Sequence, residues 1–256
     1  MTQLILHQFA SSHFNEKARW ALDFKNIPHQ RISYLPGPHM GKIKKLTAGT
    51  GTSTPVLEAE TVIQGSARII DYLELLQSDP ALYPTDGDNK SSALAWQSRM
   101  DNELGPAVRT VAFSIFVNEP GFLAKTFSIG KSLPVRTAYR AVIPLLTPVI
   151  SKANGANSIE NIERCAECVD QYLTEISKSV QATGYLVGNS FSVADLTAAA
   201  LLAPLAQLQH PDMRRPSPIP ATMQALTNAY AAHPAIDWVH RIYAEHRPTR
   251  TSSGVT

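Results

Sequence analysis

A serine followed by a helical pattern offers the first chemistry in this chain. In Ser12-His13-Phe14-Asn15-Glu16-Lys17-Ala18-Arg19-Trp20 the hydroxyl comes after an apolar run, Leu4-Ile5-Leu6-His7-Gln8-Phe9, and stands where an amphipathic helix opens. The first turn of a helix leaves its N–H groups unpaired, and the aligned peptide dipoles place roughly half a positive charge there. A hydroxyl at that spot is a good N-cap, and it stands where an anion is stabilised. His13 adjoins it, but neighbouring helix positions point to different sides. His13 and His7 are therefore read as incidental.

The thiols offer less. Cys165 and Cys168 are the only cysteines, spaced C-x-x-C within Ile162-Glu163-Arg164-Cys165-Ala166-Glu167-Cys168-Val169. A redox pair works best at a helix N-terminus beside a strand, where the dipole lowers a thiol pKa, and this pair falls inside a helical stretch. Zinc would need further Cys or His ligands nearby, and none follows. No metal site is expected, and the two residues read as ordinary, partly buried thiols.

The secondary structure around Ser12 follows from the same pattern. Leu4 to Phe9 reads as a strand, Phe14 to Lys25 as a helix, Gln30 to Leu35 as a strand and Pro38 to Leu46 as a short helix. Pro55 to Leu57 and Thr61 to Ile63 form a strand pair, and Ser66 to Gln77 a closing helix. That order predicts a small mixed sheet with helices on its faces over residues 1–78. The turn formers of residues 79–88 mark a linker. Residues 89–256 show helical spacing only: Ala93 to Val117, bent or broken at Gly105-Pro106, Pro134 to Ile150, interrupted by Pro144 and Pro148, Ser158 to Val180, Ser192 to Gln207, Pro220 to Ala232 and Ala235 to His246. The tail from Pro248 is expected to be loose. Phe191-Ser192-Val193-Ala194-Asp195-Leu196 carries a capping box and staple, a structural signal that assigns Asp195 to the fold.

Composition narrows the partners. The chain has 256 residues, 44% of them hydrophobic, and a net charge of +2 spread along its length, so no nucleic-acid footprint is expected. Val193 to Leu208 is short, with Asp195 near its start and Pro204 inside it, and reads as a buried helix rather than a membrane span. Without a secretory signal pattern the expected location is the cytoplasm.

Four stretches together resemble the cytosolic glutathione transferase superfamily: Ser12-x-Phe-x-Glu-Lys-x-Arg-Trp-Ala-Leu, Ser53-Thr54-Pro55-Val56-Leu57, Ser66-x-x-x-Ile70-x-Tyr72-Leu73-Glu74 and Phe191-Ser192-Val193-Ala194-Asp195. The resemblance implies a thioredoxin-like α+β domain followed by an all-α domain, a homodimer, a role in detoxification, and glutathione as co-substrate. It implies that Ser12 takes the place of the family's catalytic Ser or Cys, with Asn15 where a redox relative holds a second Cys. Pro55 would be the family's cis-proline, Thr54 would pair by its backbone with the cysteinyl part of glutathione, and Ser66 would take the γ-glutamyl carboxylate.

The chemistry so implied is feasible. A thiol of pKa about 8.5 is roughly 3% ionised at pH 7, and moving it to about 6.5 needs roughly 2.7 kcal/mol of preference for the thiolate. A helix start contributes up to about 1 to 2 kcal/mol and a hydrogen bond to a charged group about 1.5 to 3. Ser12 would donate to the sulfur anion, which attacks an electrophile held by the second domain.

The sequence departs from the family pattern at two places. Before Ser66 the family usually carries an acidic residue or Gln, and Gly65 stands there instead. Asp101 or Glu103 from a partner subunit would have to make up that contact. The loop at residues 47–53 is glycine-rich, and its amides, or Lys42 or Lys45, would have to reach the glycyl carboxylate. Phe113, Phe116 and Tyr139 are candidates to line the electrophile pocket. The sequence thus supports a glutathione transferase acting on a small hydrophobic molecule. The alternative is a non-catalytic binding or interaction module on the same architecture. Disulfide exchange is disfavoured because Ser12 and Asn15 supply no thiol.

Overall fold

Strand β1 (Leu4–Gln8) lies inside a four-stranded sheet of order β2-β1-β3-β4. The computed structural model describes residues 3–249. β2 (His29–Ser33) runs parallel to β1, pairing Leu6 with Arg31, whereas β3 (Val56–Glu58) is antiparallel to β1, pairing Leu6 with Leu57. β4 (Val62–Gln64) closes the edge against β3. A parallel β1–β2 pair needs a crossover, and α1 (His13–Phe24) supplies it. Leu4, Leu6 and Leu57 join Ala18, Leu22 and the α3 (Ser66–Leu76) residues Ile69, Ile70 and Leu73 in one core. The short α2 (His39–Leu46) buries Ile43.

Helix α1 was expected to be amphipathic, yet its polar side chains are buried as well. Glu16, Lys17 and Arg19 have at most 1% of their surface exposed. The reason is position: α1 packs on the sheet with one side and against the helical domain with the other. Buried charges require partners, and these come from across the domain boundary. Lys17 Nζ donates to Asp101 Oδ2 at 2.6 Å, and Arg247 Nε to Glu16 Oε1 at 2.7 Å. Trp20, also fully buried, donates Nε1–H to the His246 carbonyl at 2.9 Å and packs its ring on Tyr243.

The second half of the chain is helical: α4 (Gly87–Asn102), α5 (Leu104–Phe116), α6 (Pro120–Phe127), α7 (Leu133–Ala153), α8 (Ile159–Ser179), α9 (Val193–Leu202), α10 (Ala221–Ala231) and α11 (Pro234–His246). The expected helix from Ala93 to Val117 is two helices, and the break falls at Glu103 rather than at Gly105-Pro106. Pro106 has no N–H for the Asn102 carbonyl and its ring excludes that carbonyl, so the chain must turn before it; in the first turn of the next helix the missing donor is harmless. Gly105 also meets α1 closely, since a Cβ there would lie 2.5 Å from Phe14 Cζ.

Pro144 and Pro148 do not interrupt α7 as expected. Arg140, Pro144 and Pro148 share its exposed face, so the carbonyls left without donors belong to exposed residues. Helix α6, eight residues opened by a proline, carries too little periodicity to be anticipated. The stretch expected to run to Gln207 leaves α-helix at Leu202 and finishes in a 3-10 turn (Ala203–Leu205) around Pro204.

The capping box of α9 is present. Ser192 N–H donates to Asp195 Oδ2 at 2.9 Å, and Leu186 N–H to Asp195 Oδ1 at 2.8 Å. Cys165 and Cys168 are free thiols within α8, packed partly against the core, and burial pushes the Cys168 thiol up. Among the described residues no helix is long and apolar enough to cross a membrane. The tail expected to be loose lies, from residue 250 onward, outside the described residues.

Candidate functional site

Ser12 is the N-cap of α1. Its backbone is extended (φ −87°, ψ 131°), and Oγ accepts from the Asn15 N–H at 3.5 Å, a long bond that leaves the hydroxyl proton uncommitted. Arg19 fixes the approach to this cap: Nη1 donates to Gln8 Oε1 at 2.9 Å and to the Phe9 carbonyl at 3.2 Å. Asn15 ties the cap to the neighbouring loop, with Nδ2 donating to Thr54 Oγ1 at 3.2 Å. Its Oδ1 is buried without a partner. The Thr54–Pro55 peptide is cis.

Ser12 and Thr54 open onto a cavity of about 680 Å³ between the two halves of the molecule. Phe113 and Phe116 of α5 line the same cavity, as does Phe127 of α6. The volume lies within the range of small-molecule sites. Tyr139 does not join the wall; it is buried in a satellite core and donates its hydroxyl to the Pro36 carbonyl at 2.9 Å.

Pro55, Gly65 and Ser66 sit at the corner beside Thr54 rather than on the cavity wall. Gly65 N–H donates to the Pro55 carbonyl at 2.9 Å, and Gly65 caps α3 with φ +98°, a conformation that side-chain-bearing residues resist. Ser66 is the first residue of α3 and is buried. The start of α3 carries neither a side-chain cap nor an acidic residue. Lys42 and Lys45 do not approach the cavity. Both are exposed on α2, because Ile43 takes the inward face of that short helix.

Asp101 Oδ2 holds Lys17 Nζ at 2.6 Å, and Asp101 Oδ1 has no hydrogen-bond partner among the described residues. Glu103 accepts from the Tyr172 hydroxyl at 2.7 Å. His13 is also engaged: it is buried and its Nε2 bonds to the Gly105 carbonyl at 3.0 Å, which makes it a strut between α1 and α5. His7 bridges Tyr34 at 2.8 Å and Glu58 at 2.9 Å.

An ion network that the sequence did not disclose forms part of the cavity wall, which Arg19, Arg31 and Asp212 line. Arg31 donates to both carboxylate oxygens of Asp212 at 2.9 Å and to Asp23; Arg247 reaches Glu16, Asp23 and Asp212. Burial alone would raise the Asp212 carboxyl, but Arg19, Arg31 and Arg247 hold it down to about 2. Glu16, His210 and Asp212 place potential ligand atoms within 4.8 Å of one another. Both carboxylates also serve arginines, Glu16 and Asp212 each pairing with Arg247.

Two further cavity residues escaped the sequence reading. Arg109 and Arg215 line the wall, and neither pairs with a carboxylate among the described residues. Arg109 stands four residues before Phe113 on α5, a spacing that shares a helix face and could have exposed it. Arg215 sits in an irregular segment, where periodicity is silent.

The comparisons agree with this fold. The chain belongs to the glutathione S-transferase superfamily: its N-terminal domain model matches residues 6–81 and its C-terminal domain model residues 148–238. The β-etherase LigF from Sphingobium sp. strain SYK-6 has a similar structure, with a TM-score of 0.61 at 19% identity over 94% of this chain and 99% of that one. A glutathione S-transferase from Pseudomonas fluorescens gives 0.61 at 16% identity over 97% and 99% of the two chains. One from Methylobacillus flagellatus, crystallised with glutathione bound, gives 0.59 at 15% identity over 95% of each. At such identities the likeness is one of fold.

Proposed function

We propose that this chain binds glutathione and joins its sulfur to a small hydrophobic electrophile, with Ser12 stabilising the thiolate. One observation carries the reading: the cavity places an uncommitted hydroxyl at the electropositive start of α1 on the same wall system as the aromatic face of α5. A sulfur seated there would receive the hydroxyl proton as a hydrogen bond and the field of the helix start. Thr54 would hold the peptide's cysteinyl backbone, and the uncapped beginning of α3 at Gly65 and Ser66 would meet its γ-glutamyl carboxylate. In the reaction the sulfur–carbon bond forms as the leaving group departs with its electron pair, and the thiol proton passes to solvent. A homodimer belongs to the same reading, with Asp101 or Glu103 of the second copy as the candidate contact to the peptide's amino group.

The test is conjugation of glutathione to 1-chloro-2,4-dinitrobenzene. Ser12→Ala should lower kcat at least tenfold and raise the pH at which the rate turns on, because the thiolate loses its donor; an unaltered rate would remove Ser12 from the mechanism. A second reading, a binding module without turnover, is favoured by Gly65, which offers no side chain to the peptide's amino group. Calorimetry separates the two, since a glutathione affinity weaker than on the order of 10 mM supports the module.

A further inference from the structure

We infer that the second substrate of this cavity is an aromatic acid, whose carboxylate is received by Arg109 and Arg215 while its ring lies on Phe113 and Phe116. The inference rests on the transferase reading above and names the substrate class of the same site.

The other arginines of this molecule that are buried or half-buried are paired. Arg19, Arg31 and Arg247 each meet one or more carboxylates at hydrogen-bond distance. Arg109 and Arg215 do not, although burial lowers the pKa of both, that of Arg215 to about 10. Among the described residues, Arg109 Nε and Arg215 Nη1 are buried with no hydrogen-bond partner, and Arg215 donates otherwise only to the Pro204 carbonyl. Thr126 Oγ1 of α6, on the same cavity, is likewise buried and unpartnered. Buried donors are ordinarily satisfied, so three idle polar groups around one concave space point to a missing acceptor. A guanidinium fork fits a carboxylate in a bidentate manner.

The location favours the electrophile over the tripeptide. Arg109 shares a face of α5 with Phe113, one turn away, and with Phe116 beyond it. Ser12 and Thr54, the groups suited to the cysteinyl end of glutathione, belong to the sheet domain.

Wild type, Arg109→Gln, Arg215→Gln and the double variant are assayed with 4-chloro-3,5-dinitrobenzoate and with its methyl ester, each varied at saturating glutathione, and glutathione is then varied at a fixed concentration of the acid. In both cases the sulfur displaces chloride; the ester is intrinsically the more reactive because it withdraws more strongly from the ring, so each variant is compared with the wild type on the same compound. The loss in kcat/KM on double substitution should be at least tenfold greater for the acid than for the ester and should enter through KM, with Arg109→Lys recovering part of it. Equal losses for acid and ester overturn the inference, as does a rise in the KM for glutathione alone, which would assign the arginines to the peptide. Calorimetric titration of the wild type with unreactive 3,5-dinitrobenzoate and its methyl ester needs neither turnover nor a folded variant. The acid should bind at least fivefold more tightly, with the preference shrinking as salt is added; no preference for the acid refutes the anion site. If neither chlorinated compound is conjugated by the wild type, the transferase reading fails, and the titration still decides the anion site.

Discussion

His13 adjoins the serine on which the chemistry is proposed to depend, and its consequences belong to stability. Burial is the main reason that its pKa drops from 6.5 to about 4, with Arg109 adding to the effect and the bond to the Gly105 carbonyl opposing it. The folded value lies below the unfolded one, so the stability from neutral His13 is complete above pH 6.5 and is lost as the pH falls through about 4. A displacement of that size is worth about 3 kcal/mol. Asp195 works in the opposite sense. Burial raises its carboxyl from 3.8 to about 6, against the hydrogen bonds from Leu186 and Ser192, so its contribution is complete below pH 3.8 and fades as the pH rises through about 6. Comparison with a variant isolates the histidine: in urea unfolding between pH 7 and 4, His13→Gln should show a flatter decline than the wild type. Parallel curves would show that the imidazole does not titrate in this way.

At the scale of elements, α1 is a helix whose polar face is satisfied by distant segments. Removing one partner of a buried ion pair costs about 3 to 5 kcal/mol because the other charge is left behind. Arg247→Met leaves Glu16, Asp23 and Asp212 with one cation fewer, and the melting temperature should fall by roughly 10 °C. By contrast Arg99 and Glu175 pair at the surface, where such a bond contributes under about 1 kcal/mol. The sequence was readable where the determinant was local. Apolar runs showed the strands, Ser12 and Ser192 showed the helix starts, and Pro106 marked a break within three residues of its true place. The α1 network was not readable, because its partners lie as far apart as Glu16 and Arg247, 231 positions along the chain. Within the cavity, Ser12, Thr54, Phe113 and Phe116 could be named beforehand. The surroundings of Lys45 and Asp101 could not be read beforehand, since only the packed structure shows that one is exposed on α2 and the other is held by Lys17.

For the whole molecule, the cavity lies between two halves joined by charge as well as by apolar contact. Lys17–Asp101, Arg31–Asp212 and Arg247–Glu16 all run from the sheet domain to the helical one. The helix that presents Ser12 therefore owes its placement to residues more than eighty positions away. Exchange of residues 1–80 with the matching segment of a relative should yield an aggregating or early-melting hybrid unless Asp101, Asp212 and Arg247 are changed to suit the incoming helix; a well-behaved uncorrected hybrid in a thermal melt would contradict this. Co-evolution of the two halves follows: drift in the sulfur-holding portion is constrained by the portion that selects the electrophile, so new specificities on this scaffold should arise by editing the cleft lining rather than by shuffling segments.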